Sequence, residues 1–311
     1  MATDAETLLA WQQIKRRLGL WRLLAVLALA ILGVSFLSHG TIKGVSQTRP
    51  HIARVHIDDN VIFQDIERDE MLAAIAKDKA ARALIVHINS PGGTVVGGET
   101  LYKSLLKVGQ EKPVVALMGE VATSAAYMAA LAGERIFAHE GTITGSIGVL
   151  WETADITGLL EKLGVSTEAI KSGPLKAVPS PLEPLSPEGR EATRGMVLDI
   201  FDMFIDMVAL RRHMPREGVL ALADGRVFTG RQAAKNGLVD ELGGEDEARA
   251  WLAATHGLSE ELPLVDRGLE DKYPLWERLI TGMAGAFSEK IKLSERLRLD
   301  GLFSLWHPLG Q

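Results

Sequence analysis

From residue 51 onward the apolar positions fall into short dense runs, separated by longer stretches in which they recur every three or four residues. HIARVHID (51–58), ALIVHIN (83–89), PVVALMG (113–119), RIFAH (135–139) and STEAIKS (166–172) are predicted to be strands. The segments between them, near 64–78, 97–108, 124–132 and 156–163, carry the helical period. Alternation of strand and helix predicts an α/β domain built on a largely parallel sheet. Its strands are apolar on both parities, as a sheet flanked by helices on both faces requires.

Beyond this core, Ser186-Pro187-Glu188 supplies an N-cap, a proline at the first helical position and an acid in the first turn. These open a long helix to about Arg211, with Phe201, Met203, Phe204, Met207 and Val208 as its packing stripe. Phe228-Thr229-Gly230 introduces a helix at 231–236, which Asn236-Gly237 ends before a short strand at Leu238-Val239. No repeat or low-complexity linker interrupts the chain. We place the globular domain at 41–257. Residues 258–311 read as a helical, amphipathic tail, because aromatic and leucine side chains alternate there with Lys and Arg from Tyr273 onward.

The N-terminus has a different pattern. No charge interrupts Leu23–Leu37, and residues 18–38 are long enough, at about 31 Å as a helix, to cross a bilayer. Arg22 lies near the end of this span, where it can snorkel. Lys15, Arg16, Arg17 and Arg22 precede the apolar run, which orients residues 1–17 to the cytoplasm and the domain outward. The expected location is therefore a membrane, single-pass, with the domain on the extracytoplasmic side. Cleavage after Gly40, as in a signal peptide, is the alternative. The sequence has no cysteine, which suits an oxidising compartment and removes thiolate chemistry. With 34 basic and 40 acidic residues, and the excess of acid larger still beyond residue 40, nucleic acid is not an expected partner.

Two glycine- and serine-bearing turns follow consecutive strands, where open α/β sheets place their ligands. Asn89-Ser90-Pro91-Gly92-Gly93 brings backbone amides close to a ligand without a Cβ in the way, although a plain tight turn has the same sequence. In Thr123-Ser124-Ala125-Ala126, Ser124 stands at a helix start, either as a simple N-cap or as a nucleophile. Among eight histidines, His87 and His139 are possible bases, but there is no GxSxG elbow and no HExxH zinc motif. A lysine serves as base where burial brings its pKa from about 10.4 towards 7–8. Lys176, in the Gly/Pro-shaped loop Lys171-Ser172-Gly173-Pro174-Leu175-Lys176, is the lysine that fits.

HINSPGG (87–93), MGEVATSAAYMAA (118–130), GTITGSIGVL (141–150), IKSGPLK (170–176) and DGRVFTGRQAAKNGLVDELGG (224–244), in that order, resemble the signal peptide peptidase A family in its short single-domain form. The resemblance implies the fold shared by Clp protease and crotonase. It implies Ser124 as nucleophile, Lys176 as general base, Ser146 as the hydroxyl orienting the lysine, and the Gly93 and Ala125 amides as oxyanion hole. It further implies peptide hydrolysis without metal or organic cofactor, remnant signal peptides as apolar substrates, and ring- or dome-shaped homo-oligomers in which Ser and Lys come from adjacent protomers. The family's paired glycines after the serine are Ala125-Ala126 here, which puts the width of the cleft in doubt. The competing expectations are a crotonase-like acyl-CoA hydratase or isomerase, and a membrane-anchored scaffold that has lost catalysis.

Overall fold

The computed structural model describes residues 21–22, 49–58 and 62–268, and the backbone of 303–305. Among the described residues no helix is long and apolar enough to cross a bilayer; the expected span at 18–38 lies outside them except for Trp21 and Arg22. The chain divides into two compact units after Arg49, the second beginning at Pro50.

Within that unit the sheet is built from β1 (His51–Ile57), β2 (Ala81–Ser90), β4 (Val114–Thr123), β5 (Arg135–Ala138), β6 (Ile143–Gly145), β7 (Val227–Thr229), β8 (Glu241–Leu242) and β9 (Leu264–Asp266). Its order is β7-β6-β4-β2-β1-β9, with β5 and β8 branching from β4. Every pairing is parallel except β6 with β7. The branch arises because β4 uses Val115–Met118 to pair β5 and Val121–Thr123 to pair β6. Two short strands lie apart, β3 (Gly92–Thr94) antiparallel to β10 (Phe303–Leu305).

Both faces are covered, as the double-parity pattern demanded. One packs Val55, Ile57, Val86, Ile88, Ala116 and Met118 beneath α1 (Ile66–Lys77), α2 (Val95–Gly109), α3 (Ala125–Ala130) and α5 (Pro187–Arg212). The other packs Ile52, Ile85, Val115, Leu117 and Phe137 beneath α8 (Glu245–His256). Helix ends follow the sequence signals. Asp65 caps α1 through the Glu67 and Arg68 amides, Ser186 caps α5 through Gly189 N–H, and Thr229 with Gln232 forms a capping box on α7 (Gly230–Lys235).

Three expectations fail. STEAIKS (166–172) is not a strand: it lies exposed with no partner strand, and Lys171 is paired with Glu183 instead. Leu238-Val239 is buried but forms the turn after α7. Gly237 adopts φ 80° and Leu238 N–H returns to Ala233 C=O, so the apolar pair closes a helix C-terminus and the strand begins later, at Glu241. The stretch 258–311 contains β9, which extends the main sheet, and β10; its remainder beyond Gly268 lies outside the described residues.

Lys112 staples the sheet to α1. Its buried Nζ donates to the carbonyls of Ile75 (2.6 Å), Asp78 (2.6 Å) and Ala81 (2.9 Å). Lys112→Met keeps the aliphatic stem but leaves three carbonyls unmatched, and urea unfolding is expected to show a loss of about 2–3 kcal/mol.

Candidate active site

The serine turn is shaped by the strand before it. Opposite β2, the register of β4 jumps, with Ile88 facing Met118 and Ser90 already facing Ala122. The extra residues are held by Asn89, whose Oδ1 accepts from the Glu120 and Val121 amides at 3.1 Å each. Thr123 Oγ1 then donates to Pro91 C=O at 2.8 Å, tying the serine turn to the NSPGG turn. In the sequence Asn89 has only the signature of a turn residue; its bridging role depends on a bulge that no local pattern announces.

At the end of β4, Ser124 takes φ 58° and ψ −119°, a conformation that costs a side-chain-bearing residue about 1–3 kcal/mol. Its amide donates to Gly145 C=O at 2.9 Å and its carbonyl accepts from Met128 N–H. The side chain makes no helix-capping bond, so Ser124 is not a conventional N-cap. The chain thus makes a sharp strand-to-helix turn at a serine without the GxSxG sequence.

Ser146 is its neighbour, directly after β6. Thr123 and Gly145 pair across the parallel strands, so Ser124 and Ser146 follow side by side. Ser146 has φ 50°, is buried, and donates its amide to Arg226 C=O at 2.9 Å. Arg226 in turn clasps Asp224 and holds that carboxyl down at about 2. Ser146 also opens onto a cleft of about 370 Å³ whose walls include Val149, Leu150, Val197, Leu198 and Phe201. This apolar hollow beside the paired serines was not visible in the sequence.

Ala125 and Ala126 are fully buried. A Cβ placed on Gly98 of α2 would come within 2.9 Å of the Ala125 methyl, so that methyl points into the core and not into the cleft. Gly93 lies on β3, where Ile62 N–H binds Gly92 C=O and Thr94 N–H binds Ile62 C=O. Alternation along the strand turns the Gly93 N–H and C=O to the opposite edge. On that edge runs Phe303–Leu305, with Ser304 facing Gly93. A Cβ at Gly93 would stand 2.1 Å from Ile62 O, so only glycine fits.

Lys176 is not brought into this cluster. It is exposed in a turn, its amide bonded to Gly173 C=O at 3.2 Å. The segment around it leaves Leu159, Leu163, Val165, Ile170, Leu175 and Leu182 exposed, Ile170 almost completely at 99%. The candidate histidine bases are engaged elsewhere. His87 packs on His56, and burial, followed by that neighbour, lowers its pKa; a methyl on Gly244 would lie 3.1 Å from His139 Cε1.

Residues 107–259 match Peptidase family S49, and residues 52–143 match Clp protease. “Putative protease slr0021” of Synechocystis is 37% identical over 257 residues, spanning 81% of this chain and 92% of that protein. The chain belongs to peptidase family S49. It is a serine peptidase by family, with the α/β Clp protease-like fold, and an acyl-CoA hydratase is set aside. “Serine protease SPPA, chloroplastic” of Arabidopsis thaliana is 35% identical over 182 residues, 58% of this chain and 27% of its own length. The ClpP catalytic domain of Plasmodium falciparum, 10% identical, covers 61% of this chain and 83% of its own with a TM-score of 0.40.

The backbone at residue 124 predicts a separation of two variants. Ser124→Gly and Ser124→Ala both remove the hydroxyl, but only glycine relaxes φ 58°. Thermal and urea unfolding are expected to place Ser124→Gly above Ser124→Ala by about 1 kcal/mol or more, with neither hydrolysing peptide.

Proposed function

We propose that this S49 peptidase cleaves apolar, signal-peptide-like segments with Ser124 as nucleophile and Lys176 as general base. The observation that carries the reading is the strained turn that sets Ser124 beside Ser146 and links it to the NSPGG segment. Lys176 removes the Ser124 proton, the alkoxide attacks the scissile carbonyl, and the C–N bond breaks as the amine leaves with the proton from the lysine; water, deprotonated by the same lysine, then attacks the ester, and the acid departs as the Ser124 oxygen takes the proton back. Gly93 and Ala125 N–H hold the oxyanion, and Ser146 orients the lysine.

Substrate class follows from the surroundings. The apolar cleft at Ser146 suits a greasy side chain, and an edge that already accommodates Phe303–Leu305 suits an extended peptide added as a strand. An anchor at 18–38, with the domain on the periplasmic face, would hold the enzyme against the bilayer where cleaved signal peptides remain, at high effective concentration.

The exposed apolar arm around Lys176 supports a homo-oligomer in which the arm of one protomer lies against its neighbour and delivers the lysine to that neighbour's Ser124. Ala125, with its methyl packed against Gly98, and the buried Ala126 count against the reading of an inactive scaffold.

Complementation tests the shared site. Full-length Ser124→Ala and Lys176→Met chains, each alone, are expected to lose hydrolysis of an apolar peptide by about 10³-fold or more. Dissociated and reassembled together, they regain a fraction of wild-type activity, because mixed contacts pair an intact serine with an intact lysine. Wild-type rates in Lys176→Met would remove the lysine from the mechanism, and inactive mixtures would place both groups in one protomer.

A further inference from the structure

β1 and β2 run parallel in a register that sets His56 opposite His87. Both project from the face that α8 covers over Ile52 and Ile85, but past the covered part, where their rings stand 5.1 Å apart between centroids. Asp58, just beyond β1, places one carboxylate oxygen 3.7 Å from His56 Nδ1 and the other 3.7 Å from His87 Nδ1. One ligand atom from each of the three residues lies within 4.8 Å of the others. These separations are too long for hydrogen bonds, and His87 Nδ1 is shielded from solvent without a hydrogen-bond partner.

We propose that His56, Asp58 and His87 form a binding site for a divalent cation of the Zn²⁺ class, with its remaining positions open to water. Bonds of 2.0–2.1 Å in a tetrahedron put ligand atoms about 3.4 Å apart; the two carboxylate–imidazole separations, each to a different oxygen of Asp58, exceed this by a few tenths of an ångström, and the three ligand atoms, all within 4.8 Å of one another, would draw closer around an ion. Two imidazoles and a carboxylate are a borderline nitrogen-oxygen set that suits Zn²⁺ better than Mg²⁺ or Ca²⁺.

The surroundings favour the same assignment. Asp266 lies 3.5 Å from His56 Nε2, on the far side of the ring, where a carboxylate fixes the proton and leaves Nδ1 free to coordinate. Arg54, the neighbouring cation, is neutralised by Asp266, at 2.6 and 2.9 Å, and by Glu245 at 2.5 Å. The site sits at the carboxyl ends of parallel strands, the usual ligand-binding end of such sheets. It draws on none of the residues assigned to peptide hydrolysis, so it stands or falls independently of that reading.

The test uses tag-free full-length protein in detergent, stripped with chelator and titrated with Zn²⁺ by calorimetry, and with Co²⁺ as an optical probe. One ion per chain is expected, together with Co²⁺ visible bands and a melting temperature that rises with added Zn²⁺. His87→Ala is expected to weaken binding by about 100-fold or more, at or beyond the loss for an outer-shell group. His56→Ala, at a half-exposed ring, gives the same result where His87→Ala fails to fold, whereas Ser124→Ala binds as wild type does. A folded wild type that takes up no Zn²⁺, or a His56→Ala chain that binds it undiminished, overturns the assignment.

Discussion

The site depends on one backbone conformation, the left-handed turn at Ser124. A serine does not adopt φ 58° by preference, so the surrounding structure has to impose it. Three constraints do so. Gly145 C=O fixes the Ser124 amide from the neighbouring strand. Asn89 holds the bulge that sets the length of β4. The following helix, α3, is buried at every position and pinned by Tyr127, whose hydroxyl donates to Leu238 C=O at 2.9 Å. Burying Tyr127 and Met128 contributes several kcal/mol, more than the strain consumes. The same branch of β4 that ends the pairing with β5 starts the pairing with β6, which brings Ser146 alongside.

Much of this was legible in the sequence because it rests on local signals. Dense β-branched runs gave β1, β2, β4 and β5, and Ser186-Pro187 and Thr229-Gly230 marked real helix starts. Ser124 was recognisable at a strand-to-helix junction. What stayed hidden depends on contacts between distant segments. The β4 bulge exists only opposite Asn89, and the cleft at Ser146 is walled by α5, some 50 residues further on. STEAIKS has the composition of a strand but pairs with no strand among the described residues. His56 and His87 form a pair solely through the register of β1 on β2.

The two halves of the proposed dyad are built differently, which follows from what each must do. Ser124 is buried and followed by a helix buried at every position, so preorganisation is enforced by burial. Lys176 is carried on an exposed segment with unburied leucine and isoleucine side chains. An apolar arm of this kind gains stability by packing on a neighbour, so in the proposed assembly the base reaches the nucleophile only once the oligomer forms. Peptidase activity would thus be coupled to assembly, and an isolated protomer would stay inactive.

The central claim is that Ser124 is the nucleophile, and covalent labelling tests it most directly. Full-length protein treated with a serine-directed phosphonylating probe, digested and mapped by mass spectrometry, should carry one adduct, at Ser124, and the Ser124→Ala chain should carry none. Modification of another serine in a chain that hydrolyses peptide, or active protein that Ser124→Ala leaves fully labelled, would contradict it.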